Sequence, residues 1–194
     1  MIRGNLHGGN GRRRGSLVLI GLAMLTAAGC SSATSSTPGS VTGTPAPTNT
    51  APSSLSPADS ARQQATAAYK GMWQEMAKAN ETADWQAPTL AEYATGDALT
   101  EINRSLYTDH VNGLVSTGAP TTNPRVTKVD PANDPTTVLI SDCGNDAQWV
   151  KHKADGSSYS DAPGGRRSIT AEAKKQADGS WRVTRFAVGG VGSC

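Results

Sequence analysis

The chain has 194 residues, of which 36% are hydrophobic, 5% aromatic and 18% charged, with 21 glycines, 11 prolines and 3 cysteines. That is enough for one ordinary domain with flanking segments, and too little for the paired lobes of a solute receptor. Its formal charge of +2 rests on Arg3, Arg12, Arg13 and Arg14; removing those four from 18 basic residues against 16 acidic ones turns it to −2, which argues against the basic face of a nucleic-acid binder.

Residues 1–29 read as an export signal. Arg12-Arg13-Arg14 precedes an uncharged apolar run from Leu17 to Ala28, and the run ends in Ala27-Ala28-Gly29-Cys30. A membrane-spanning helix needs roughly 20 apolar residues, more than this run offers, so a permanent transmembrane anchor is the weaker reading. Ala28, Gly29 and Cys30 resemble the lipobox of bacterial lipoproteins, with Ala27 where Leu is commonest. The resemblance implies cleavage between Gly29 and Cys30 and acylation of the Cys30 sulfur by palmitate-class chains. Two chains suffice for stable anchoring at about 0.8 kcal/mol per buried methylene, which would hold the protein on the outer, extracytoplasmic face of the cell membrane. The paired arginines loosely resemble a twin-arginine signal but lack the usual bulky residue two positions on, so ordinary Sec export is expected.

Residues 30–56 form the next segment. From Ser31 to Ser56 the chain is almost wholly Ser, Thr, Pro, Gly, Ala and Asn, and no charge occurs between Arg14 and Asp59. Such a composition offers too little apolar surface to offset the entropy of ordering. As a flexible coil it would span about 30 Å, which suits a tether between a membrane and a domain. With Cys30 lipidated, Cys143 and Cys194 remain, an even count in an oxidising compartment, and this predicts one disulfide between them. Neither has the short-spaced cysteine partner of a catalytic or metal-binding thiol.

The soluble domain is expected over residues 57–194. Ser56-Pro57-Ala58-Asp59 is a helix start, and a helix to about Asn80 follows, with Ala61, Ala65, Ala68, Tyr69, Met72, Trp73, Met76 and Ala79 along one face. Pro88 to Ala94 predicts a helical turn. Asp97 is expected to cap a further helix with the stripe Leu99, Ile102, Leu106 and His110, stopped at Asn112-Gly113. Thereafter the period falls to two, and strands are predicted over 114–117, 125–129, 137–143, 147–153, 167–176 and 181–188. Gly144-Asn145 and Asp178-Gly179 read as hairpin turns, and Gly156 to Gly165, with Arg166-Arg167 beside it, as a longer solvated hairpin loop. Helices first and antiparallel strands afterwards is an α+β order, predicting N-terminal helices packed against a curved antiparallel sheet.

That order, with Tyr69 to Trp73, Tyr93-Ala94-Thr95-Gly96-Asp97-Ala98-Leu99 and Gly179-Ser180-Trp181-Arg182-Val183, resembles the cone-shaped nuclear-transport-factor-two-like superfamily, in particular small secreted lipoproteins of actinobacteria. The superfamily contains enzymes and many non-catalytic members, so the resemblance implies a fold and no one chemistry. No zinc-binding His-Glu-x-x-His or paired-Cys spacing, nucleophile elbow, phosphate loop or EF-hand pattern occurs, and no metal or cofactor is expected. Asp130 to Asp134 and Asp142 to Asp146 read as turns. No catalytic residue is assigned; Tyr69, Trp73, Tyr107 and His110 are the candidate pocket by type and position, while Trp85 and Trp149 are left without a place. The functional expectation is a non-catalytic binding or assembly module at the envelope, with an envelope protein or a small apolar ligand as partner and a homodimer through the sheet face compatible with the fold. The alternatives are an isomerase- or cyclase-type enzyme and a carrier of a hydrophobic ligand.

Overall fold

The computed structural model describes residues 55–194, so the segments expected to be an export signal and a lipobox ending at Cys30, and most of the expected linker, lie outside the described residues. Helix α1 (Pro57–Asn80) starts where the local chemistry places it. The Ser56 hydroxyl accepts the Asp59 backbone N–H at 3.1 Å, Pro57 opens the first turn and Asp59 lies at the positive end of the dipole. A single turn, α2 (Leu90–Tyr93), follows. The Tyr93 ring lies against α1 at Gly71, where an added Cβ would overlap it, so this mid-helix glycine serves close approach rather than a turn. In helix α3 (Gly96–Val111) the N-cap position is Thr95, whose side chain makes no capping hydrogen bond, and Asp97 falls inside the first turn rather than capping it. Gly113, with φ of 61°, provides the left-handed stop.

The strands are β1 (Leu114–Thr117), β2 (Arg125–Asp130), β3 (Thr137–Asn145), β4 (Val150–Lys153), β5 (Arg166–Lys175) and β6 (Trp181–Val188). Four of them form an antiparallel sheet in the order β2-β3-β5-β6, while β1 pairs with β4 as a separate two-stranded ladder. The domain is thus α+β, with helices packed on one face of an antiparallel sheet, as the element order predicts. Bulges between Val126 and Lys128 and opposite Glu172-Ala173 bend that sheet.

Cross-strand rows show what the inner face buries. Val126, Ile140, Ala171 and Phe186 are successive partners, as are Val129, Val138, Ala173 and Val183. Onto these rows α1 sets Ala61, Ala65, Ala68, Tyr69, Met72 and Trp73, and α3 sets Ile102 and Leu106. Alanines on the contact side of α1 let the helix approach the sheet, and the larger side chains fill the space towards its centre.

Two expected loops are strand instead. Gly144-Asn145 is no hairpin turn: Asn145 is still paired with Arg166 and bridges to Thr121, and Gly144 lacks a side chain because a Cβ there would meet Ile169. Consequently β4 leaves the main sheet and finds β1, with Leu114 opposite Lys153 and Thr117 opposite Val150. Arg166-Arg167 opens β5 rather than closing a loop.

Cys143 and Cys194 are joined, with Cα atoms 5.9 Å apart, as the cysteine count predicts. The C-terminal segment lies back along β5: Gly189 N–H donates to Ser168 O at 2.8 Å, Gly192 N–H to Arg166 O at 2.7 Å, and Ser168 N–H to Ser193 Oγ at 2.8 Å. The bridge spans 51 residues in sequence, so in the chain-entropy account Cys194→Ser lowers the free energy of unfolding by about 4 kcal/mol. Urea denaturation of the oxidised wild type and the variant measures this, and an unchanged midpoint would refute it.

Candidate functional site

Between α1, α3 and the inner face of the sheet lies a cleft of about 260 Å³. Trp73 and Met76 come from α1, Ile102 from α3, Trp149 from the residue before β4, Ile169 from β5, and Phe186 and Val188 from β6. Trp73 is the hub of the aromatic wall. Its ring stands edge-to-face with Trp149 (centroids 6.3 Å apart, planes at 88°), with Phe186 (5.6 Å, 67°) and with Tyr69 (6.3 Å, 73°), the arrangement that ring quadrupoles favour.

Glu101, Ser105, Asn145, Asp146 and Arg167 add polar groups to the lining. Arg167 shares the inward side of β5 with Ile169, because side chains alternate along a strand. Its Nε donates to Asp146 Oδ2 at 2.8 Å and its Nη1 to Gly189 O at 3.3 Å, while the other Asp146 oxygen accepts Gly165 N–H at 2.7 Å. The two charges therefore neutralise one another within the wall.

Behind the cleft lies a second polar unit. Tyr69 is 0% exposed, and its hydroxyl donates to Asp142 Oδ2 at 2.9 Å; Asp142, 5% exposed, also accepts Asn123 N–H at 2.8 Å through Oδ1. Burial, the nearby Asp142 charge and the hydrogen bond to it all push the Tyr69 phenol well above its ordinary value.

Of the four pocket residues expected from the sequence, the structure brings two together. Trp73 lines the cleft and Tyr69 packs behind it. Tyr107 is exposed and meets Trp85 edge-to-face at 5.4 Å, and His110 is exposed as well. The stripe on α3 steps from Leu106 to Asp109, not to His110, with Leu99 only half-buried. The step of three is taken because Lys151 of β4 reaches Asp109 at 2.7 Å and answers its charge. Trp149, Ile169, Phe186 and the Asp146–Arg167 pair were not read as site residues. A period of two through Arg167, Ile169 and Ala171 was the available signal for one side of the pair. Among the described residues, no group of three or more His, Cys, Asp or Glu is placed to hold a metal ion, and no helix is long and apolar enough to cross a membrane.

No protein-family model matches the chain, and no curated protein matches it in sequence. Among solved structures, it is similar to the intermembrane space region of the chloroplast protein ARC6, with 17% identity, a TM-score of 0.41, and coverage of 66% of this chain and 95% of that one. It is also similar to a ketosteroid isomerase-like protein from Erwinia carotovora atroseptica, with 12% identity, a TM-score of 0.38, and coverage of 66% and 94%.

The Tyr69–Asp142 contact sets two expectations. Tyr69→Phe leaves a buried carboxylate one donor short and costs about 1.5–3 kcal/mol near neutral pH. Above pH about 10 the unfolded chain releases the Tyr69 proton while the folded chain keeps it, so this residue makes stability fall by about 1.4 kcal/mol per pH unit. Urea titrations at rising alkaline pH should show that extra slope in the wild type and not in Tyr69→Phe; parallel slopes would contradict the assignment.

Proposed function

We propose that this chain is a lipid-anchored lipoprotein of the cell envelope, whose nuclear-transport-factor-two-like domain is a non-catalytic binding module. Its cleft takes a small apolar ligand or an apolar side chain of an envelope partner. The observation that carries this reading is the character of the cleft: an aromatic and aliphatic wall whose one close ion pair, Asp146–Arg167, is already satisfied within the protein. General acid–base catalysis needs a titratable group within reach of the substrate. Tyr69 and Asp142 have the residue types of isomerase and cyclase sites, but neither is among the residues lining the cleft, and neither His110 nor His152 is; of the carboxylates that do line it, Asp146 is held by Arg167 at 2.8 Å and Glu101 is exposed beside Arg104 at 3.3 Å. A cleft of this size holds about nine waters by volume, hence a ligand of roughly ten non-hydrogen atoms. Anchoring rests on the lipobox resemblance of Ala28-Gly29-Cys30 and on the composition of the segment after it.

Two measurements test the two halves of the reading. In a bacterial host, the wild type is expected in the membrane fraction and Cys30→Ala in the soluble one; a variant that sediments with membranes as fully as the wild type removes the anchor. Native mass spectrometry of the full chain released gently from its own envelope is expected to show a stoichiometric apolar passenger or a bound protein. Ser105→Trp, which fills the cleft from α3, should reduce that occupancy about tenfold. An empty wild-type chain with no partner sinks the binding reading.

A further inference from the structure

A smaller hollow, of about 190 Å³, adjoins the cleft. It lies between α1 and the connection from β1 to β2, and Lys70, Trp73, Gln74, Ala119, Pro120 and Thr122 form its wall. Trp73 and Pro120 also line the cleft, so the two spaces share part of one wall. Helix geometry explains the grouping on α1: residues three and four apart are neighbours, which sets Lys70 beside Trp73 and Gln74. The cleft is walled chiefly by rings and aliphatic chains, whereas the smaller hollow offers an ammonium, an amide and a hydroxyl.

These polar groups are uncommitted. Among the described residues Lys70 has no carboxylate within ion-pair distance, and the side chains of Lys70, Gln74 and Thr122 make no hydrogen bond. Trp73 is 6% exposed, and its indole N–H is a buried donor without a partner, a state that native proteins seldom leave unanswered. All four groups can donate, and what this place lacks is an acceptor. The acidic side chains of the two walls, Glu101 and Asp146, already face cations, Arg104 at 3.3 Å and Arg167 at 2.8 Å, while Asp142 and Cys194 line neither space. The Lys70 charge is the one left over.

Building on the small-ligand reading of the cleft, we propose that its ligand is a single-chain carboxylate. The apolar chain lies in the cleft, and the carboxylate lies in the smaller hollow, where it accepts from Lys70 with Gln74 and Thr122 beside it. Volume sets the chain length. The cleft takes roughly ten non-hydrogen atoms, hence a chain of about nine or ten carbons. One uncompensated ammonium matches one negative charge, whereas a phosphate monoester carries about −1.5 to −2 and would leave part of it unanswered. Burial of the chain supplies most of the affinity, and the partly exposed ion pair supplies a modest preference for the anion.

The test uses the full chain carrying Cys30→Ser, which has no sulfur to acylate at residue 30, emptied over a hydrophobic resin. Decanoate, decanol and decylammonium share one chain and differ in the charge of the head. Each is titrated while still monomeric in solution and followed by tryptophan fluorescence, to which Trp73 and Trp149 of the cleft wall contribute. Decanoate is expected to bind at least about threefold more tightly than decanol, and decylammonium more weakly than decanol, with both differences shrinking as salt is added. Lys70→Gln should remove the advantage of decanoate and leave decanol unchanged, and Lys70→Arg should retain it. Ser105→Trp should weaken decanoate and decanol alike, about tenfold. Decanol binding as tightly as decanoate, or an advantage that survives in Lys70→Gln, overturns the carboxylate assignment and leaves the cleft a site for a neutral ligand. If none of the three binds, or if Ser105→Trp changes nothing, the small-ligand reading of the cleft falls with it.

Discussion

A carboxylate on the inner face of a sheet, with a helix laid over it, has to be answered by donors from within the protein, because leaving it unanswered costs several kcal/mol. Asp142 is that group. It lies on β3 in line with Val138 and Ile140, and its two oxygens are met from two other parts of the chain, the Tyr69 hydroxyl on α1 and the Asn123 amide in the connection between β1 and β2. Directional bonds of this kind fix what apolar packing alone leaves loose, namely the rotation of α1 about its own axis. With Tyr69 pinned over Asp142, Trp73 follows one turn later on the same face, and the aromatic wall of the cleft is built outward from it. The cleft is thus placed by a polar contact it does not contain.

The cleft and the hollow around the disulfide differ in chemistry, and the difference follows from strand alternation. Inward positions of β5 and β6 supply Ile169, Phe186 and Val188 to the cleft, whereas Ser141 and Cys143 of β3 and Ser168 of β5 face the other way. The outer side also carries Glu172, to which Thr184 donates at 2.8 Å and Arg185 at 2.8 Å, with Lys174 at 3.2 Å. Burial alone would raise this carboxyl, yet the hydroxyl and the two cations outweigh it and hold the group below its ordinary value. Charges on this side are cross-linked along and between strands, which keeps an open sheet face polar and discourages edge-to-edge association.

Much of the framework was legible in the sequence because it is decided locally. Ser56-Pro57 opens α1, Gly113 ends α3, and Asp178-Gly179 turns β5 into β6, all through chemistry contained within a few residues. What could not be read depends on partners distant in the chain. Gly144 resembles a turn residue until Ile169 is placed beside it. His110 and Asp109 are both plausible ends of the α3 stripe, and only Lys151, 42 positions from Asp109, decides between them. The cleft suffered most. Tyr69 and Trp73 were accessible through helical spacing, but Trp149 enters the wall only because β4 abandons the main sheet, and no periodicity announces that. The disulfide was readable by counting alone, whereas the Arg166 guanidinium against Cys143 Sγ was not.

The departure of β4 also sets which wall of the cleft is least reinforced. The β1–β4 ladder is two strands of four residues, and the amide pairing between Leu114–Thr117 and Val150–Lys153 has no third strand to reinforce it. It is fastened at the side by Lys151 to Asp109 and by Lys153 Nζ to Asn112 O at 2.6 Å. Sub-global openings in proteins are drawn from such low-stability units while the central strands stay closed. Because Trp149 immediately precedes β4, fraying of this ladder would swing one wall of the cleft outward and leave the four-stranded sheet intact.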